Sequence, residues 1–331
     1  MSNVDVSEVT RQREMGPLAS ALNTQPFWVL LAILIISVVM SFLTETFMSE
    51  NNLFNMTRNF AFMGIIALGM TAVIITAGID LSVGSVMGLS GVVLGLVLEG
   101  GNPVWFGLIA CLLTAMATGF VNGVLIAYLN LSPFVVTLGM LSIARSLALV
   151  VSNNKMVYQF GPQEDLFLRI GGGTVLGIAN PVWVLIIMTV IFSFLLRMTT
   201  WGRYVYAIGG NEQAARLTGV PVERIKVSVY MLCSVTAGIS AFLMVGWLGS
   251  VTNALGITYE LRVIAATVIG GANLMGGQGF ALGAPIGAAL VEVIRNSLLL
   301  AGVDPYWQGT FVGAFIILAV LLEKVRGKRG G

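Results

Sequence analysis

The sequence predicts an all-α polytopic membrane protein of about ten transmembrane helices, some short or broken, and three observations carry that prediction. Hydrophobic residues make up 57% of the chain and charged residues 10%, against roughly 25% charged in a soluble domain. Mean hydropathy is +0.93. Apolar runs of about 20 residues, each long enough to cross a bilayer, recur along the 331 residues, so the length divides into spans rather than into two soluble domains. Histidine is absent, which excludes histidine triads, general bases and metal ligands. Cys111 and Cys233 each lie inside an apolar run and are expected to be buried packing residues rather than a disulfide.

Taken in order, residues 1–26 form a polar segment with Arg11 and Arg13 and no small-residue cleavage pattern, expected to be a retained cytoplasmic tail. A membrane domain over 27–323 follows. Its expected spans are 27–48, 59–77, 82–98, 104–129, 133–151, 181–196, 225–248, a short 261–269, 280–300 and 307–322, with a longer loop at 153–178. A basic tail occupies 324–331. With the N-terminus inside, the cytoplasmic side receives Arg11, Arg13, Arg197, Arg203, Arg216, Arg224, Lys226, Lys324, Arg326, Lys328 and Arg329. The outer side receives only Arg58, Lys155, Arg169 and Arg262. Eleven against four supports cytoplasmic N- and C-termini and an even number of spans.

The same count places the polar island 198–226 on the cytoplasmic face. Asn211 is positioned to cap a short helix, Glu212 suits the positive end of its dipole, Gly219 permits a left-handed stop and Pro221 prevents continuation. Two turns are not stable alone in water. With only Ala214, Ala215 and Leu217 to bury, the element calls for a partner surface, and Arg216 adds a charge to it.

Glycines four apart at 84 and 88, 91 and 95, 119 and 123, 279 with 283 and 287, and 309 and 313 predict close helix packing. Polar breaks are more informative. Asp80, Ser82 and Ser85 interrupt two spans almost without a loop, and Asn273 stands in a similar string, so that Gly271, Asn273, Leu274 and Gly277 fall opposite Gly78, Asp80, Leu81 and Gly84. Such a faint internal repeat is common in transport folds, where unwound backbone lines a path. Two readings of Asp80 stand side by side: a residue of the path or gate, or a cap for the next helix at the membrane surface. Asn122, Arg145, and Glu292 with Arg295 and Asn296 at helical spacing also lie inside spans. Glu292 and Arg295 fit either a structural ion pair or the path.

Neither a G-x-x-x-x-G-K-[ST] string nor a dinucleotide fingerprint is present, so the chain has no P-loop of its own. No cluster of residues offers a catalytic or metal constellation. Chemistry is not expected here.

Four strings then carry a resemblance: ITAGIDLSVGS over 75–85, NLSPFVVTLGMLSIAR over 130–145, GRYVYAIGGNEQAARLTG over 202–219 and YELRVIAATVIGGANLMGGQG over 259–279. Together they resemble the permease subunits of bacterial ABC importers of the ribose type, over nearly everything from 55 to 322. Ser146 stands where that family often has Gly, and Arg262 where an acidic residue is common. The resemblance implies an inner-membrane dimer of permeases, cytoplasmic ATPase modules that grip the coupling helix 211–219 and carry ATP and Mg, and a periplasmic binding protein that delivers a sugar or polyol. It implies no cofactor in this chain, no nucleic acid, and a weakly polar path. A branched-chain amino-acid permease shares the design. An ion-coupled secondary transporter would instead use Asp80, Glu292 or Arg145 and need no partners, and a membrane scaffold would transport nothing.

Overall fold

A computed structural model describes residues 25–304 and, beyond them, 307, 309–311, 313 and 314. The tails 1–24 and 324–331 and most of the tenth expected span lie outside the described residues. In chain order the elements are α1 Gln25–Leu43, α2 Glu50–Ile75, α3 Val83–Glu99, α4 Val104–Ala127, α5 Pro133–Val151, α6 Glu164–Gly172, a two-stranded hairpin of β1 Thr174–Val175 and β2 Ile178–Ala179, α7 Asn180–Met198, α8 Thr200–Gly210, α9 Glu212–Leu217, α10 Val222–Leu248, α11 Tyr259–Ile269 and α12 Gly283–Leu300. Among the described residues, seven helices (α1, α2, α4, α5, α7, α10 and α12) are long and apolar enough to cross a membrane. The protein is a polytopic helical bundle.

Helices α2 and α10 form its centre. Every residue from Ala61 to Ile75 of α2 is buried, whereas α1, α4, α5 and α7 leave an apolar face exposed, with Phe42, Leu113, Val135 and Val190 each at least half open. An apolar exterior around a small-residue interior is what a lipid solvent selects. Gly119 and Gly123 let α4 lie against α10 so closely that a Cβ there would meet the carbonyl oxygen of Tyr230 and the Cα of Val227, each at 2.6 Å. Gly283 and Gly287 seat α12 on α11 in the same way. Gly84, Gly88, Gly91 and Gly95 meet chiefly the irregular segment 251–256 and Val157, with the side chains of Glu260, Arg145 and Val245 reaching them from α11, α5 and α10.

Two of the expected spans are completed by unwound chain. Helix α2 stops at a left-handed Ala77 (φ +58°), with Gly78 N–H donating to Val73 O at 3.0 Å and Ala77 N–H to Ile74 O at 2.9 Å, the two bonds of a Schellman stop. Ala77 is exposed, yet Asp80 is wholly buried. The chain therefore touches the surface and dives back, and α3 starts inside the bundle. At 17 residues, or about 25 Å, it is shorter than the ~30 Å hydrocarbon layer. Between α10 and α11 the chain is likewise irregular from Gly249 to Thr258; it pairs with Val157 through Val251 and buries Leu255.

The expected loop 153–178 is more structured than its sequence indicates. Helix α6 packs Phe167 edge-on against Phe242 of α10, ring centres 5.2 Å apart, and Gly171 against Gly246. The start of α2 also differs from expectation. Ser49 accepts from Asn52 N–H and Glu50 fills the first turn, so 50–58 is helix rather than loop, and Arg58 lies within the bundle at 9% exposure.

Candidate functional site

Three groups of residues are candidates, and they occupy different levels of the bundle. The first is the elbow of α8 and α9. Asn211 caps α9 as its sequence indicates: its Oδ1 accepts from Ala214 N–H at 2.9 Å. Gly219 adopts φ +84°, and Val220 N–H donates to Ala215 O at 3.1 Å and Gly219 N–H to Arg216 O at 3.2 Å, which closes the six-residue helix with a second Schellman stop. Ala215 points inward at 5% exposure, while Leu217 is 89% exposed. Glu212 binds Lys226 of α10 at 2.5 Å and Arg216 at 3.4 Å, and Arg216 also pairs with Glu223. Its carboxylate neighbours, Glu223 before Glu212, hold the Arg216 guanidinium above its ordinary value, so this cation persists at any physiological pH.

Helix α8, which the sequence shows only as a polar island, ties the elbow to the bundle. Tyr206 Oη donates to Gly279 O at 2.6 Å, and Trp201 Nε1 donates to Ser228 Oγ at 2.8 Å. Gly209 packs against Ile75 O and Gly277 N, and Gly277 N–H in turn donates to Ile75 O at 2.9 Å. The elbow thus rests on the end of α2 and on the 270–279 string at once. Gly78–Ser85 and Gly270–Gly279 lie at the same end of the bundle, and their likeness is physical. After α11 a left-handed Gly271 repeats the Schellman bonds, with Gly271 N–H to Val268 O and Ala272 N–H to Thr267 O. Asn273 Oδ1 then accepts from Met275 N–H at 2.7 Å, as Asp80 Oδ1 accepts from Ser82 N–H at 2.9 Å. The helix stops match one residue out of register with the sequence repeat, and Asn273 remains part-exposed while Asp80 does not.

The second group surrounds Asp80. Ser82 Oγ donates to Asp80 Oδ1 at 2.6 Å and accepts from Asn122 Nδ2 at 3.0 Å, and Tyr230 Oη donates to Ile79 O at 3.4 Å. Ser85 is buried beside them at the start of α3. Asp80 is no surface cap, since Ser82 holds the cap position and Asp80 lies at 0% exposure. Among the described residues, Asp80 Oδ2 and Asn122 Oδ1 have no hydrogen-bond partner and Asp80 has no ion pair. An uncompensated carboxylate in an apolar interior costs far more than an amide of the same shape, and an amide at 80 could donate to the unpartnered Asn122 Oδ1. Asp80→Asn is therefore expected to leave the thermal midpoint of the purified protein unchanged or higher. Asp80→Ala, which strips the acceptor from Ser82, is expected to cost about 1–3 kcal/mol.

The third group lies in the half of the bundle away from the elbow. Glu292 and Arg295 form a two-pronged ion pair, Nε to Oε2 at 2.7 Å and Nη2 to Oε1 at 2.5 Å. Asn59 Nδ2 donates to Glu292 Oε1 at 3.2 Å, and Asn52 and Asn296 exchange amide hydrogen bonds at 3.1 and 2.8 Å. These α2 partners went unnoticed in the sequence; Asn52 and Asn59, seven apart on one face, were the available signal. Arg58 lies 4.1 Å from the Trp247 ring centre. Glu292 and Arg295 line a cavity of about 200 Å³ together with Asn59, Trp247, Tyr259 and Arg262. The structural pair and the cavity wall are thus the same residues. Arg145, by contrast, is tied to backbone, donating to Leu255 O at 2.8 Å and Asn253 O at 3.3 Å, where it pins the unwound segment.

Among the described residues, seven helices long enough to cross a membrane are combined with two unwound segments and a capped elbow, features that recur in transport folds. The family model described as branched-chain amino acid transport system / permease component matches residues 52–320. The ribose import permease protein RbsC of Escherichia coli K12 is 39% identical over 295 residues, 89% of this chain and 92% of that protein. The chain belongs to the ribose-type ABC importer permease family. The L-arabinose ABC transporter permease AraH of Azospirillum brasilense, 33% identical over 90% of this chain and 87% of its own length, and the fructose import permease FrcC of Rhizobium meliloti, 34% identical over 92% and 86%, are similar to this permease along nearly the same extent. As a permease component it is the membrane-embedded, non-catalytic part of an importer.

Proposed function

We propose that this permease, paired with a second copy or a homologue, forms the bacterial inner-membrane path of a sugar or polyol importer. A separate cytoplasmic ATPase carrying ATP and Mg drives it, and a periplasmic binding protein feeds it. The single observation that carries the reading is α9: a cap-locked knob with Leu217 outward, whose neighbour α8 rests directly on the ends of α2 and of the 270–279 string. Closure of the ATPase pair would push Asn211, Glu212, Ala214, Ala215, Arg216, Leu217 and Gly219 as one body. Helix α8 would pass that push to Asp80, Ser82, Ser85 and Asn122 on one side and Asn273 on the other, and the bundle would tilt to open the path past Glu292 and Asn296. The excess of basic residues on the elbow side supports a cytoplasmic elbow and cytoplasmic termini. The family description names amino-acid cargo, but relatives covered over most of their length are named for ribose, arabinose and fructose, which favours a small carbohydrate.

Cysteine labelling tests the orientation and partner dependence together. Both native cysteines are buried, so Leu217→Cys supplies a single reactive thiol. In right-side-out vesicles it should react with a membrane-permeant maleimide and resist an impermeant one. Uptake should require the ATPase and the binding protein. Labelling from outside, or solute uptake by the chain alone, overturns the proposal.

A further inference from the structure

The hydrogen atoms available to the Asp80 knot do not cover its acceptors. Asp80 Oδ1 takes two donors, Ser82 N–H at 2.9 Å and Ser82 Oγ at 2.6 Å. A hydroxyl has one proton, so Ser82, having directed it at Asp80, can only accept from Asn122, whose Nδ2 lies 3.0 Å away. The Asn122 amide is thereby oriented, with its nitrogen towards Ser82. Two acceptors are left over in a wholly buried place, Asp80 Oδ2 and Asn122 Oδ1, and among the described residues nothing serves them. Tyr230 gives its hydroxyl to the Ile79 carbonyl. Ser234, the next hydroxyl along α10, is itself unpartnered and so reaches neither oxygen. Tyr230 and Cys233 are the titratable groups of α10 that face Asp80, and a phenol and a thiol are neutral acids at pH 7. Arg145 of α5 and Glu260 of α11 come no nearer than Gly84 of α3, and neither pairs with Asp80.

We propose that the knot is a proton-binding site. One solvent proton on Asp80 Oδ2 makes the side chain a neutral acid, and Oδ2–H donates to Asn122 Oδ1. Both stranded acceptors are then satisfied by a single hydrogen, and the ring through Asp80, Ser82 and Asn122 closes without a buried charge. Calcium and magnesium take six or more oxygen ligands, and two free oxygens do not supply them. The ring ties the turn 78–82 to α4 beside the end of α2, where Gly209 of the elbow packs against Ile75 O. It is a latch at the point where the elbow bears on the bundle. Movement that admits water to Oδ2 replaces the Asn122 contact with solvent and lets the acid ionise, so the latch opens with loss of its proton and closes with its return. The inference goes beyond the transport reading and stands independently of it.

The chain has four aspartates, Asp5, Asp80, Asp165 and Asp304, few enough for isotope-edited infrared spectroscopy of full-length permease labelled with carbon-13 at the aspartate carboxyl. In lipid nanodiscs at pH 7, one label should absorb as a protonated carboxyl. That band should vanish in Asp80→Asn, which carries its own donor, and should move in Asn122→Leu, which removes the acceptor of the Oδ2 proton. Stability supplies a second readout. The unfolded chain gives up this proton and the folded chain keeps it, so the folding equilibrium of the parent should fall against that of Asp80→Asn by up to about tenfold for each pH unit between about pH 5 and pH 7. Four ionised labels at pH 7, a protonated band that survives Asp80→Asn, or a stability difference that ignores pH overturns the inference. So does a protonated band that appears only after sodium and other metal ions are removed, because the site would then hold a cation. A band unmoved by Asn122→Leu overturns the latch. Where that variant does not fold, the comparison of parent with Asp80→Asn still decides the proton.

Discussion

Leu217→Glu is expected to abolish ATP-driven uptake while leaving the permease folded. The side chain is 89% exposed at the end of a helix held by its own caps, so the folded chain loses nothing when it changes. An apolar anchor at the centre of a small interface is worth about 2–4 kcal/mol, and placing a carboxylate there costs association roughly 30- to 1,000-fold. Three measurements check this: uptake, retention of the ATPase on the purified permease, and the thermal midpoint. The first two should collapse and the third should stay. Normal uptake by this variant would remove α9 as the site where force enters.

Glu292→Ala should be the most damaging single change within the bundle. It leaves Arg295 and Asn59 without their acceptor and removes the one carboxylate that lines the cavity among the described residues. Breaking a buried pair on one side costs about 3–5 kcal/mol, of which the lower end applies because Arg295 keeps some exposure. The double variant Glu292→Ala/Arg295→Ala should recover much of that loss, because no charge is then stranded. Thermal midpoints of the two singles and the double in detergent form the cycle. A Glu292→Ala protein as stable as its parent would show that the pair is held in water.

What the sequence made legible was local. Nine of the ten expected apolar runs coincide with helices, and Asn211 and Gly219 do at α9 what their residue types dictate. What it concealed was tertiary. Helix α8 has glycines at 202, 209 and 210, a poor intrinsic helix; it holds because Tyr206 reaches Gly279 and Trp201 reaches Ser228. The irregular chain from 249 to 258 is kept by Arg145 and Val157, about a hundred residues earlier. Glu292 finds Asn59 across 233 positions, a separation at which spacing rules carry no signal. The candidate residues were accordingly identified one by one, but not their separation into an elbow, a buried knot at Asp80 and a distant chamber.

The return of the chain at Ala77 also sets an order of assembly. Asp80 has a single partner residue, Ser82, which Asn122 of α4 bonds in turn, and Tyr230 of α10, about 150 residues downstream, closes over the adjacent Ile79 carbonyl. A ribosome adding roughly 5–20 residues each second leaves that carboxylate without its final cover for about 8–30 seconds. During that interval α3, at the short end of the ~17–25 residues that cross a bilayer, lacks the neighbours that bury its polar start, so the 76–99 stretch is expected to take its final place only after α10 emerges.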